Sequence, residues 1–196
     1  MDQITKSVRW ILLTNVAAFF LMIWVGMETS IMNFGLFSIT SPHFQIHQLI
    51  THMFLHGYPA HIIFNMLAFI MFGPICERLL GSTKFCIFYF CSGLFAAILA
   101  MSTNWYSDTP MIGASGAVFG ILFLFCILNP NSELSLFFIF NVKAKHVAAG
   151  LLVYESISGL LSHIGVYQSS TAHFAHVGGA LMGLLIGLGI KKRIIK

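Results

Sequence analysis

The chain has 196 residues, of which 58% are apolar and 8% charged, with a formal net charge of +4. Soluble domains usually carry about 25% charged residues, so a water-soluble globule of this composition could not cover its surface with polar groups. A bundle solvated by lipid has no such requirement, and the composition reads as an all-α, polytopic membrane protein. Four cysteines, Cys76, Cys86, Cys91 and Cys126, all sit in apolar runs without zinc-ligand spacing. They read as buried small hydrophobes, so no disulfide, no metal and no cofactor is expected.

A hydrocarbon core of about 30 Å calls for roughly 20 apolar residues per helix. Six spans are predicted, near 8–27, 60–80, 85–103, 115–129, 146–162 and 172–190. The apolar run after Lys6 and Arg9 is too long for a signal peptide and ends in no clean small-residue cleavage site, so the first span is read as retained. Residues 28–59 lack Lys and Arg but are rich in Phe, Met and His, too apolar for a solvated linker, and are expected to lie partly in the membrane interface. Residues 104–112, with Trp105, Tyr106 and Asp108, form a short polar-aromatic connection, and 163–171 a short uncharged one.

With six spans, every Lys and Arg falls on one side: Lys6, Arg9, Arg78, Lys84, Lys143, Lys145 and the cluster Lys191, Lys192, Arg193 and Lys196. The positive-inside rule makes that side cytosolic, with both termini there. Topology thus accounts for the net charge, and no nucleic-acid partner is implied. With no repeat, low-complexity tract or soluble domain visible, residues 1–196 read as a single membrane domain, and a prokaryotic plasma membrane is the expected location.

Polar residues at membrane depth are costly to place there and are therefore informative. The segment Gly113-Ala114-Ser115-Gly116 opens an apolar run that ends at Leu128. A helix from Ser115 to Leu128 would be about 21 Å long, too short to cross the core. If its lower end reaches the cytosolic side, Ser115 lies below the outer surface at a helix N-terminus, where free N–H groups can stabilise an oxyanion. A Ser N-cap in a glycine-rich turn is the alternative. His176 heads the sixth span, and Gly179, Gly183 and Gly187 follow on its face. Such a stripe allows close helix packing in lipid, against the small face of Gly116 and Gly120, which could bring His176 to Ser115. His173 is a rival on nearly the same face, and an interfacial His on a packing helix is the plainer alternative. His61 and Asn65, at i and i+4, can both donate hydrogen bonds without carrying a fixed charge. They could equally be a helix-packing pair. Glu155, in the middle of the fifth span, needs a buried partner that the sequence does not name.

This combination resembles the rhomboid family of intramembrane serine proteases, over residues 47 to 187. Gly113-Ala114-Ser115-Gly116 is similar to the family's GxSG motif. Ala175-His176 with Gly179 and Gly183 is similar to AHxxGxxxG, and His61 to Asn65 to HxxxN. Gly73, Glu77 and Gly81 resemble its GxxxExxxG stretch. The resemblance implies that Ser115 attacks the scissile carbonyl. His176 takes the proton as general base and returns it to the leaving amine. The Ser115 backbone N–H, His61 and Asn65 bind the oxyanion. It implies a Ser–His dyad with no third acidic member. Gly113, Gly116, Phe119, Gly179, Gly183, Glu77 and Thr51 are the expected structural supports. Glu77 would tie the first loop to the bundle through Thr51. The family's WRxxT stretch reads His47-Gln48-Leu49-Ile50-Thr51 here, without Trp or Arg. Phe119 stands where some relatives have a Tyr that packs on the catalytic His, and stacking is expected to survive.

The implied partners are transmembrane protein substrates and the lipid bilayer. A substrate helix must unwind locally to expose a carbonyl. Gly150, Ser156, Ser158 and Gly159 make the fifth helix a weak packer, and it and the 163–171 loop are expected to act as gate and cap. The competing reading is a non-catalytic relative that binds transmembrane helices. A transporter would need ionisable residues along a path, and only Glu155 qualifies. A soluble-type hydrolase would need a strand before the nucleophile, and no strand pattern surrounds Ser115.

Overall fold

A computed structural model describes residues 4–103, 109–136, 140–167, 169 and 171–194. Most of the connection at 104–112, including Trp105, Tyr106 and Asp108, therefore lies outside the described residues, as does Lys196. Among the described residues there are eight α-helices and one hairpin. In chain order they are α1 Lys6–Val25, α2 Met27–Phe34, α3 Gln48–Thr51, α4 Pro59–Leu80, α5 Ser82–Thr103, α6 Ser115–Leu128, β1 Glu133–Leu136, β2 Phe140–Lys143, α7 Ala144–His163 and α8 His173–Ile194. A single 3-10 turn, His52–Phe54, follows α3.

Helices α1, α4, α5 and α8 are long and apolar enough to cross a membrane. Helix α7 has 20 residues but falls short of that apolarity, and α6 is apolar but has only 14. Ten residues of α6 are buried, Ile121 and Leu124 completely. Neighbouring helices rather than lipid surround α6, which is why so short a helix is tolerated at the centre.

Close approach of α6 and α8 depends on glycine. A Cβ on Gly179 would lie 1.8 Å from the Gly116 carbonyl oxygen, and one on Gly183 2.3 Å from that of Gly120. The backbones are in contact, so dispersion between small residues replaces the hydrophobic drive that lipid removes.

At one end of the bundle the buried Glu77 carboxylate joins three helices. Its oxygens accept from the Ser7 and Val8 N–H groups, each at 2.9 Å, from the Thr5 hydroxyl, and from Ser82 Oγ at 2.6 Å. The start of α1, the end of α4 and the start of α5 therefore meet there, with an anion on the positive end of α1. This corrects the expectation that Glu77 ties down the first loop through Thr51. Thr51 Oγ1 instead donates to the carbonyls of Phe34 and His47. A buried carboxylate takes the nearest free N–H groups, and a fresh helix N-terminus offers them.

The first loop is anchored by other means. Buried Gln48 accepts from the Gln45 N–H at 3.1 Å and donates to the His43 carbonyl at 3.0 Å. Leu36 and Met111 exchange two backbone hydrogen bonds. Met53 packs on Gly93 of α5, where a Cβ would meet it at 2.3 Å. The loop is also more regular than expected. Gly26, at φ 111°, ends the first helix, and α2 begins at the next residue.

One short element of this predominantly helical chain is not a helix. Residues between α6 and α7 form an antiparallel hairpin, with Glu133 opposite Lys143 and Leu136 opposite Phe140. Residues of opposite charge thus occupy facing register positions at its open end.

Candidate active site

Ser115 is the first residue of α6. Just before it, Gly113 adopts φ 122°, a conformation open to glycine. A Cβ at Gly113 would also lie 2.8 Å from His61 Nε2. The Gly113 N–H donates to the His52 carbonyl at 2.9 Å, which pins the turn to the first loop. The first bond of the helix runs from the Val118 N–H to the Ala114 carbonyl. The N–H groups of Ser115, Gly116 and Ala117 precede it and have no intrahelical partner.

His176 lies in the first turn of α8. Its Nε2 is 2.8 Å from Ser115 Oγ, within hydrogen-bond reach. Phe119, one turn along α6 from Ser115, stacks on the His176 ring with centroids 4.2 Å apart and planes 7° from parallel. The contacts at Gly116, Gly179 and Gly183 set the helix spacing that permits this hydrogen bond. The expected supports Gly113, Gly116, Phe119, Gly179 and Gly183 thus all meet the Ser–His pair or the seam beneath it. Glu77 and Thr51 lie elsewhere.

His61, Asn65, Ser115 and His176 line one cavity of about 580 Å³, with exposed Tyr58 and Phe64 at its rim. His61 packs against the rings of His56 and Tyr58, at 4.9 and 5.4 Å. Asn65 Nδ2 donates one hydrogen to the His61 carbonyl at 2.9 Å. A primary amide carries a second donor. The cavity thus gathers a hydroxyl, an imidazole hydrogen-bonded to it, and further donors on the facing helix.

The fate of Glu155 and His173 was not legible beforehand. Buried Glu155 of α7 reaches α8, placing Oε2 2.6 Å from His173 Nδ1 and Oε1 3.0 Å from His176 Nδ1. His173 Nε2 lies 2.9 Å from Ser169 Oγ and 3.2 Å from the Tyr167 hydroxyl. His173 therefore turns away from Ser115, and only His176 faces it. The signal in the sequence was the i, i+3 spacing of the two histidines, which puts both on one face of α8, opposite a helix with a single buried acid. Among the described residues, no group of His, Cys, Asp and Glu is arranged to hold a metal ion.

The Rhomboid domain family model matches residues 43–193. The chain is 39% identical over 148 residues to the rhomboid protease GluP of Bacillus subtilis, covering 74% of this chain and 26% of that protein. It is 31% identical over 156 residues to the rhomboid protease AarA of Providencia stuartii, covering 69% and 53%. With the rhomboid protease GlpG of Photorhabdus laumondii it shares 23% over 186 residues, covering 95% and 62%. The chain spans less than two thirds of the length of each of these relatives. Helices fit to cross a membrane, packed around a short central helix, define an integral membrane protein. The chain belongs to the rhomboid family.

Proposed function

We propose that this chain is an intramembrane serine endopeptidase that hydrolyses peptide bonds in or near transmembrane segments of other membrane proteins. The observation that carries the reading is the 2.8 Å Ser115–His176 hydrogen bond in a cavity that His61 and Asn65 also line. In this reading Ser115 Oγ attacks the scissile carbonyl carbon while His176 Nε2 takes its proton. The proton then passes to the leaving amine, and water resolves the acyl-enzyme by the same steps. The oxyanion is held by the Ser115 N–H at the helix N-terminus, with His61 and the second Asn65 amide hydrogen. No metal or cofactor enters the scheme.

Residues 1–196 act as one membrane domain with six spans. Helix α6, too short to cross by itself, reaches part of the way inside the apolar shell of the others, and α7 packs beside α8. Both termini lie on the cytosolic side, which the basic residues at the ends of α4 and α8 and the starts of α1 and α5 support. The catalytic end of α6 then faces the opposite side. The similarity to two bacterial rhomboid proteases over about 70% of the chain supports a prokaryotic plasma membrane. Substrate helices reach the cavity from the lipid and unwind before cleavage, with α7 and the 163–171 loop as gate and cap.

A fluorophosphonate tests the nucleophile directly. Wild type should be labelled on Ser115, with labelling lost in Ser115→Ala and in His176→Ala. Labelling elsewhere, or none on folded wild type, contradicts the proposal.

A further inference from the structure

We infer that Glu155 is the third member of a Ser115–His176–Glu155 triad, a positioning residue that fixes the tautomer of His176 and bears on the imidazolium formed as Ser115 attacks. This inference rests on the proposed protease activity and adds to it an acid that a two-residue dyad lacks.

Donor and acceptor counting leads to it. His176 Nε2 must accept from the Ser115 hydroxyl if it is to act as base, so its ring proton belongs on Nδ1. That nitrogen is buried and has no aligned hydrogen-bond partner. The Glu155 carboxylate is 3.0 Å away, an acceptor within reach but off the line of the N–H. Resting geometry in catalytic hydrogen bonds is often poorly aligned and tightens when substrate binds. Among the described residues, the other polar contact of Glu155 is with His173, whose Nδ1 lies 2.6 Å from Oε2.

The remaining bonds form a consistent chain. Tyr167 donates its hydroxyl hydrogen to the Ser158 carbonyl at 3.1 Å. Ser169 can then donate to His173 Nε2 at 2.9 Å, which places the His173 proton on Nδ1, facing Glu155. Oε2 thereby accepts from His173, which leaves Oε1 as the acceptor nearest His176 Nδ1. His173 and the Ser169 loop hold the carboxylate from behind, as a carboxylate beyond a metal-bound His is itself held. When the Ser115 proton moves to His176 Nε2, the electron pair of the O–H bond forms the Oγ–C bond and the carbonyl π pair moves onto the oxygen. The positive charge on the ring then faces the Glu155 anion in a site shielded from water. When the oxyanion pair returns and the C–N bond breaks, His176 gives that proton to the departing amine nitrogen.

The test measures kcat and KM on a fluorogenic transmembrane peptide in detergent, with Tm, for wild type, Glu155→Gln and Glu155→Asp. Replacing the orienting carboxylate of a soluble Ser–His–Asp protease by its amide lowers kcat about 10⁴-fold. The looser contact here should give about 100-fold for Glu155→Gln, with KM within about twofold and Tm near wild type. Gln is the better isostere and Asp keeps the charge. A positioning carboxylate therefore predicts that Glu155→Asp retains at least about tenfold more kcat than Glu155→Gln. A packing role predicts the reverse order. A folded Glu155→Gln enzyme with wild-type kcat, or Gln outperforming Asp, overturns the triad and leaves the Ser115–His176 reading intact. A folded wild type that neither cuts the peptide nor takes a fluorophosphonate fails at the earlier reading and removes the triad with it.

Discussion

Replacing Gly179 by Ala tests whether helix spacing sets the reactive pair. An added Cβ would sit 1.8 Å from the Gly116 carbonyl oxygen, where contacts below 3.0 Å are essentially never seen. The oxygen is backbone at the first turn of α6 and cannot swing aside. The seam must therefore open by at least about 1.2 Å, one helical turn from His176. If α8 moves as a body, the 2.8 Å Ser115–His176 separation becomes about 4 Å, beyond hydrogen-bond reach. Loss of general-base assistance lowers rates by about 10²–10⁴, so kcat/KM for a transmembrane substrate should fall at least about 100-fold. Overpacking of this kind destabilises by about 1–3 kcal/mol, so the variant should still fold, with a lower Tm. Gly189, on the same helix, has nothing within 4 Å of an added Cβ, and Gly189→Ala should retain wild-type activity. A folded Gly179→Ala enzyme with activity within about threefold of wild type would refute the reasoning.

Other perturbations separate packing from chemistry. Phe119→Leu removes the ring stacked 4.2 Å from His176 and should lower kcat by about tenfold with little change in Tm, since a stacked pair is worth about 0.5–1.5 kcal/mol; an unchanged kcat would show that stacking does not orient the imidazole. Glu77→Ala leaves the Ser7 and Val8 N–H groups without their acceptor and should destabilise by about 2–4 kcal/mol, lowering Tm while the remaining folded enzyme keeps its kcat. Burial pushes the His52 imidazole down to about 4, below its value of about 6.5 in an unfolded chain. Between those values the unfolded chain holds more protons, so stability should fall as pH drops below about 6.5 and lose about 3 kcal/mol by pH 4 from this group. His52→Gln should give a shallower dependence of Tm on pH, and equal slopes would contradict the assignment.

The candidate site is legible because its members are polar residues in an apolar chain. Ser115 stood out through the short run that follows it, His176 through the glycines at its own helical spacing, and His61 with Asn65 through the i, i+4 register. What remained hidden depends on how helices rotate against one another. Glu155 could be recognised as needing a partner, but only the packing of α7 on α8 turns it toward two histidines. The dyad expectation did not anticipate that contact. The motif spacing around Glu77 gives no distance and so does not say which segment its carboxylate holds. The buried carboxylate is held by the N-terminus of α1, an acceptor demand that every helix start creates. The anchoring of the loop by Gln48 was equally invisible, since a single buried amide carries no periodic signal. The hairpin between α6 and α7 leaves no pattern in the sequence because its strands have four residues each, too few for alternation to register.

The most direct test of the central claim is cleavage of a transmembrane substrate in liposomes by wild type, Ser115→Ala and His176→Ala, with folding of each verified by Tm. Cleavage by wild type, with both variants reduced to background, is the predicted result. Cleavage by folded Ser115→Ala would contradict the account. A folded wild type that binds transmembrane segments but cuts none of a broad panel would contradict it as well, and would leave a helix-binding member of the rhomboid family in its place.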